Sequence, residues 1–341
     1  MSAPVTAAPA PDPPRPAYTA RLPYKTVGDH TIHLEVWLPT DEQVRSAATN
    51  ESGRGIPVMV WLHGGGWFDG AASDASLANL LPTLARGWAF VAIEYRLVPQ
   101  VLLQDCIDDV RDGCNFVRSG ELDEALGGQK VDGERLAVSG SSAGAALAIF
   151  ASYSMSPPPR AVFSLYGVSD LSSPALHARI PFPSGPIRFD EVSTHLEPNG
   201  PVVSTSPAEV NFATLEARGR TRACFWALQE GKQVDTALGG LEQGAEDPRL
   251  EPFIASAIVQ GKTDATHEIP PTVLVHGTAD LMIPLEMSES LFDALKRKGV
   301  DTLLLREGGA NHGFDLMSGV AGDADKMRVF DEANDFVARY I

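Results

Sequence analysis

The sequence predicts an α/β architecture: a mostly parallel β-sheet wound on both faces by helices, with a helical insertion set into its second half. Three observations carry this prediction. Short apolar runs bounded by turn residues recur near positions 58, 89, 135, 161, 272 and 302, with helical patterns between them. Two glycine-rich turns each follow directly on such a run, at His63-Gly64-Gly65-Gly66 and at Gly140-Ser141-Ser142-Ala143-Gly144. Between about residues 171 and 269 the regular alternation stops, and then it resumes.

The chain begins with an Ala/Pro-rich arm, expected to be disordered over residues 1–20. Lacking both a basic start and a continuous apolar segment, it does not read as a secretory signal. Tyr24 to Val27 and Ile32 to Leu38 form a hairpin around Gly28-Asp29. The apolar strand Val58-Met59-Val60-Trp61-Leu62 then runs into the first glycine turn, where consecutive glycines let the backbone approach a ligand and aim its N–H groups inward. Leu102 to Val117 shows helical periodicity, with Asp105, Asp108, Asp109 and Asp112 read as a solvated face and not as a metal cluster.

Arg135-Leu136-Ala137-Val138 is strand-like, and Ala145 to Phe150 is a small-residue helical run. The pentapeptide between them is a nucleophile elbow with Ser142 at its tip. A strand turning sharply into a helix brings the positions two before and two after the serine together, so side chains at Gly140 and Gly144 would collide there. A serine alcohol is a weak nucleophile in water, and it needs this exposure, a base, and donors for the oxyanion that its attack creates.

At these residues the chain resembles the α/β-hydrolase superfamily, and within it the hormone-sensitive-lipase-like carboxylesterases with their His-Gly-Gly-Gly motif. The resemblance covers most of the chain from about Tyr24 onward and is weakest between about Asp170 and Ile269. It implies an oxyanion hole made by Gly64, Gly65 and Ala143. Two departures stand against the family's central branch: Ser141 where an acidic residue is usual, and Ala145 where a second glycine is usual. Kynurenine formamidases and feruloyl or acetyl esterases of related fold are further candidate relatives.

In this fold the acid and then the histidine follow the serine in the chain. Pro271 to His276 reads as a buried strand opening towards Asp280, the candidate orienting acid, at the strand end where the family places it. After the strand Thr302 to Leu305, the glycine-flanked loop Gly308 to Phe314 carries His312, the candidate general base. Of the other histidines, His30, His33, His177, His195 and His267 read as surface or satisfied residues, His63 as a holder of the glycine loop, and His276 as structural packing.

The core is expected over residues 21–170 and 270–341, with residues 171–269 as a cap, since a loop that long needs structure of its own. Ser206-Pro207-Ala208-Glu209 supplies a capping box that opens a helix through Phe212, Leu215, Phe225 and Trp226. Asp247-Pro248 opens a second, ending near Gly261. Hormone-sensitive-lipase relatives usually add N-terminal helices to the cap, whereas only the Pro-rich arm precedes the first strand here.

A formal net charge of −17 argues against nucleic acid and anionic membranes as partners. The longest apolar stretches, residues 88–93 and 144–151, fall far short of a bilayer span of roughly 18 residues. Cys106 and Cys114 share one helix about 12 Å apart along its axis, so they cannot bridge each other, and with Cys224 they suit a reducing, cytoplasmic setting. No Cys-x-x-Cys or His-Glu-x-x-His pattern offers a metal site, and no cofactor is expected. Gly261-Lys262-Thr263 imitates the end of a phosphate loop, but Ser256 stands where its first glycine belongs.

The expected function is hydrolysis of carboxylic esters with small to medium hydrophobic groups, through an acyl-enzyme. Trp67 and Phe68 beside the glycine loop, with Phe225 and Trp226 from the cap, are the expected pocket walls. The expected partner is a small-molecule ester, and nothing argues against a homodimer. The same triad serves aryl formamide cleavage and acyl release by cyclisation. A plant branch of the fold is a hormone receptor that has lost the catalytic histidine, and His312 argues against a pure binding role.

Overall fold

The computed structural model describes residues 11–47, 54–128, 131–181, 185–211, 216–261 and 268–341. Eight strands form one sheet: β1 (Ala20–Val27), β2 (His30–Trp37), β3 (Ile56–Leu62), β4 (Ala89–Ile93), β5 (Val131–Ser141), β6 (Ala161–Leu165), and, after the short pair β7 (Val210–Asn211) and β8 (Glu216–Ala217), β9 (Thr272–Gly277) and β10 (Thr302–Glu307). Their spatial order is β1-β2-β4-β3-β5-β6-β9-β10. From β4 to β10 every pairing is parallel, and β1 and β2 pair antiparallel at one edge. This is the mostly parallel sheet that the spacing of apolar runs predicts.

Side-chain alternation splits the core between the two faces. Val58, Val60 and Leu62 of β3 join the cluster covered by helices Leu103–Arg118, Ala143–Ser154 and Leu285–Lys298, whereas Met59 and Trp61 join the one covered by Leu77–Ala85 and Ala324–Val337. Parallel strands carry all their C-terminal ends to one edge of the sheet, so the turns after β3, β5, β9 and β10 meet there. Among the described residues, no helix is long and apolar enough to cross a membrane.

Four expectations need correction. The first ten residues of the arm lie outside the described part, but from Pro11 onward it is tied down: the Asp12 carboxylate accepts from Gly319 and Ala321 N–H, Arg15 bonds the Ala75 carbonyl, and Pro16 accepts from Trp37 Nε1. Partners 21 to 309 residues away overcome a composition that favours disorder. Asp109 is not solvated but wholly buried, held by Arg96 and by Lys25 Nζ at 2.7 Å, while Asp105 and Asp108 are half-buried and Asp112 is exposed. A buried carboxylate needs such pairing.

Ser206 to Glu209 open no helix. Ser206 exchanges backbone hydrogen bonds with Gly70, Ala208 N–H donates to Asp74, and β7 pairs with β8, so these residues are extended. Phe212 and Leu215 lie outside the described residues, as do Lys262, Thr263 and His267, and the helix bearing Phe225 and Trp226 is Gly219–Gln229. At Asp247 the side chain accepts from Arg249 N–H and starts a 3-10 turn, Pro248–Phe253, but the helix breaks at Ile254. There the chain bonds back to Ser169 and Leu171 and resumes as Ala255–Val259.

Candidate active site

Ser142 stands between the end of β5 and the helix Ala143–Ser154, with φ 53 and ψ −120, a conformation a side-chain-bearing residue adopts only under constraint. The constraint is visible in the flanking glycines. A Cβ on Gly140 would stand 2.5 Å from the Gly144 carbonyl carbon, and one on Gly144 would strike the Leu62 and His63 carbonyls at 2.3 Å. The second glycine therefore serves the approach of the β3 turn to the helix, not only the turn's own closure.

His312 Nε2 lies 3.0 Å from Ser142 Oγ, and its Nδ1 lies 2.8 Å from Asp280 Oδ2. The three sequence-predicted groups are thus brought together from β5, β9 and β10. Asp280 Oδ1 accepts the N–H groups of Met282 and Ile283, each at 2.9 Å. Its side chain is buried, which alone would raise its pKa, yet the charge of His312 and hydrogen bonds from His276, His312 and the Ile283 N–H hold it well below the usual carboxylate range. Asp280 is therefore an anion at any working pH.

Gly64 and Gly65 lie beside this serine. A Cβ on Gly64 would be 3.4 Å from Ser142 Cβ, and Gly65 has φ 91, so any other residue there would be strained. Ala143 is the first residue of its helix, whose N–H has no carbonyl to meet within the helix. His63 is buried and neutral, its pKa lowered by burial to about 4. Its Nδ1 bonds the Gly64 carbonyl and its ring stacks on Tyr95, whose hydroxyl donates to the His63 carbonyl at 2.8 Å. The glycine turn is thereby fixed.

A cavity opens on Ser142 and His312, with Phe225, Leu228, Met282 and Leu316 among its apolar walls. Of the expected wall residues only Phe225 is there. Trp67 and Phe68 are wholly buried under the glycine turn, the Trp67 indole donating to the Ala143 carbonyl at 3.0 Å, and so brace the site from behind. Trp226 points away and packs on Phe189. Aromatic character signals burial, and it does not say in which direction.

Sequence reasoning passed over two residues and gave a third too small a part. Tyr166 lies 4.6 Å from the His312 ring, with φ 39 and its hydroxyl on Asp315. His276, expected as packing, bonds Ser288 and the Ile283 carbonyl and stands 3.4 Å from Asp280, so it steadies the acid. Asp69 lines the cavity, and burial pushes its carboxyl up to about 7, Asp74 adding to the rise while Thr221 and Arg220 oppose it. A signal existed only for Asp69, a charge three residues past the glycines with no oppositely charged neighbour in the sequence.

Because Asp69 binds its proton more tightly when folded, it favours the fold below the unfolded value of about 4, and that contribution is lost as pH rises towards 7. Asp69→Asn is neutral throughout. Thermal melts at pH 4.5 and 8 should show the variant gaining several degrees relative to the natural protein at the higher pH, and an unchanging difference would contradict the burial argument.

Among solved structures, a Staphylococcus aureus protein of unknown function is similar over 94% of this chain and 99% of its own, at TM-score 0.66 and 16% identity. A bacterial heroin esterase matches over 94% and 83% at TM-score 0.61 and 22% identity. The chain has the α/β-hydrolase fold. A Thermogutta terrifontis esterase solved with propionate has the same fold, at TM-score 0.58 and 19% identity over 94% of this chain and 93% of that one. Two family models match parts of the chain, one described as BD-FAE over residues 47–159 and the prolyl oligopeptidase family over residues 251–341. Curated relatives include non-reducing polyketide synthases of Preussia isomera and Stereocaulon alpinum, each 26% identical over 86% of the chain. The chain spans only 12–13% of the length of these relatives.

Proposed function

We propose that the protein is a serine hydrolase of carboxylic esters, acting through an acyl-enzyme on small to medium substrates with an apolar group. The observation that carries this reading is the unbroken chain from Ser142 Oγ to His312 to Asp280, at 3.0 and 2.8 Å, at the mouth of a cavity. Ser142 attacks the ester carbonyl carbon as His312 Nε2 takes its proton. The N–H groups of Gly64, Gly65 and Ala143 hold the tetrahedral oxyanion, and Asp280 stabilises the imidazolium. His312 then protonates the departing alkoxide, and water repeats the sequence to free the acid. The esterase names of several structural neighbours agree with this reading. Trapping with an organophosphonate tests it: the label should sit on Ser142 and abolish turnover of p-nitrophenyl esters, and an unlabelled, active protein would refute it.

Residues 171–269 act in this reading as the cap that shapes the acyl or alcohol site, supported by the contribution of Thr221, Cys224, Phe225, Leu228 and Gln233 to the cavity. Phe225→Ala and Leu228→Ala should shift the preferred acyl length by clear multiples, since one methylene in an apolar pocket is worth roughly 1–3 kcal/mol. A panel of p-nitrophenyl esters from acetyl to decanoyl reads this, and unchanged relative rates in both variants would remove them from the pocket wall. The setting is proposed to be a reducing compartment, the cytoplasm, which suits three buried, unbridged cysteines.

The polyketide synthase relatives favour a second reading, in which the same triad releases an acyl group from a carrier by hydrolysis or cyclisation. Faster turnover of an acyl thioester than of the matching oxygen ester would select it.

A further inference from the structure

A buried polar atom without a hydrogen-bonding partner is costly, and each one in a folded protein calls for an explanation. Among the described residues nine side-chain atoms are in this state, and four of them belong to three residues that line the active-site cavity: Trp61 Nε1, Asp69 Oδ1 and Oδ2, and Gln233 Oε1. All three residues are buried, at 2%, 1% and 4% exposure. The Thr221 hydroxyl lies close to the Asp69 carboxyl, and Arg220 attracts it, but the guanidinium directs its N–H groups to the Phe68 and Val98 carbonyls at 2.6 and 2.5 Å. Gln233 Nε2 makes one long bond of 3.4 Å to the Gly66 carbonyl, which leaves its oxygen unmet.

This set contains a donor as well as acceptors, and that selects its ligand. An ammonium group has no lone pair for the indole N–H, and Arg220 already supplies positive charge beside Asp69. A carboxylate or phosphate has no proton for the Gln233 carbonyl at any pH, and once Asp69 ionises it would also be repelled. An alcohol or phenol has both, a lone pair for Trp61 and a proton for an acceptor.

We propose that Trp61, Asp69 and Gln233 form a hydroxyl-recognition subsite of the cavity, so that the preferred ester carries an alcoholic or phenolic hydroxyl in the part that fills it. Trp61 Nε1–H donates to the hydroxyl oxygen, and the hydroxyl proton goes to the Asp69 carboxylate or the Gln233 carbonyl. This subsite rests on the ester-hydrolase reading and refines it. A neutral methyl ether in the same place lacks the proton, and a deoxy ester leaves every one of these atoms unpaired.

The test compares kcat/KM for p-nitrophenyl phenylpropanoate with its 2-, 3- and 4-hydroxy and methoxy derivatives, and for benzyl acetate with the corresponding hydroxybenzyl and methoxybenzyl acetates. A site built to bond a hydroxyl discriminates against its absence strongly, so at least one hydroxy ester should exceed its deoxy parent and its methyl ether by about tenfold or more. That ratio should fall towards one in Trp61→Phe and in the double variant Asp69→Leu/Gln233→Leu, which removes both acceptors. Phosphonate labelling of Ser142 is followed in parallel. A labelled protein that turns over hydroxy and deoxy esters equally in both series overturns the subsite, its polar atoms then serving a structural water, and so does a preference that both variants leave intact. Absence of labelling and of all turnover removes the ester-hydrolase reading itself, and the subsite with it.

Discussion

Ser142→Ala is expected to lower kcat for ester hydrolysis by about five to six orders of magnitude while the melting temperature stays near that of the natural protein. Nucleophile and base act as a unit, and removing one leaves the other nothing to do. The fold should tolerate the change because alanine keeps the Cβ that already occupies φ 53, and Gly140 and Gly144 still make the room for it. Ser142 Oγ bonds His312 Nε2, so the lost contact belongs to the chemistry. Burst-free kinetics with a p-nitrophenyl ester, beside a thermal melt, read both quantities. If activity persists and Ser141→Ala is dead instead, the nucleophile is the neighbouring serine, which also lines the cavity.

Asp280→Asn should cost up to about four orders of magnitude in kcat. The reason is specific to the way this carboxylate is held. Its Oδ1 accepts two backbone N–H groups, so an asparagine must place its carbonyl oxygen there and turn its NH2 towards His312. His312 Nδ1 would then accept that N–H, which puts the ring proton on Nε2, facing Ser142. An imidazole in that tautomer cannot take the serine proton. A variant that keeps the natural rate would transfer the orienting role to another acid.

Legibility in the sequence followed the range of the interaction. The glycine turns, the elbow and the order Ser142, Asp280, His312 are local patterns at strand ends, and parallel strands bring such ends together without further information. The same holds for the strands of the sheet. Where partners are distant, local reading failed. Ser206 to Glu209 carry the letters of a helix start, but Gly70 and Asp74 bond their backbone and keep it extended. Asp109 reads as one acid of a polar stripe, and only the fold brings Lys25 to it from the first strand. Trp67 gave the right signal of burial without a direction, Trp226 is only half-buried against Phe189, and Asp69 became a cavity residue through a turn and a helix 152 positions away from it.

All three reacting groups lie outside the stretch 171–269, yet that stretch walls much of the cavity and reaches back to the glycine turn through two side chains. Arg220 grips the Phe68 carbonyl, and Gln233 touches that of Gly66. Under the proposed reaction, mutation is therefore expected to rewrite the inner surface of this segment and redirect the protein to other molecules without touching Ser142, Asp280 or His312. The freedom has a boundary at those two anchors. A transplanted segment that lost them would let go of the turn proposed to supply the oxyanion donors, so lineages or engineers that diversify the segment are expected to keep a long basic side chain and an amide at these points.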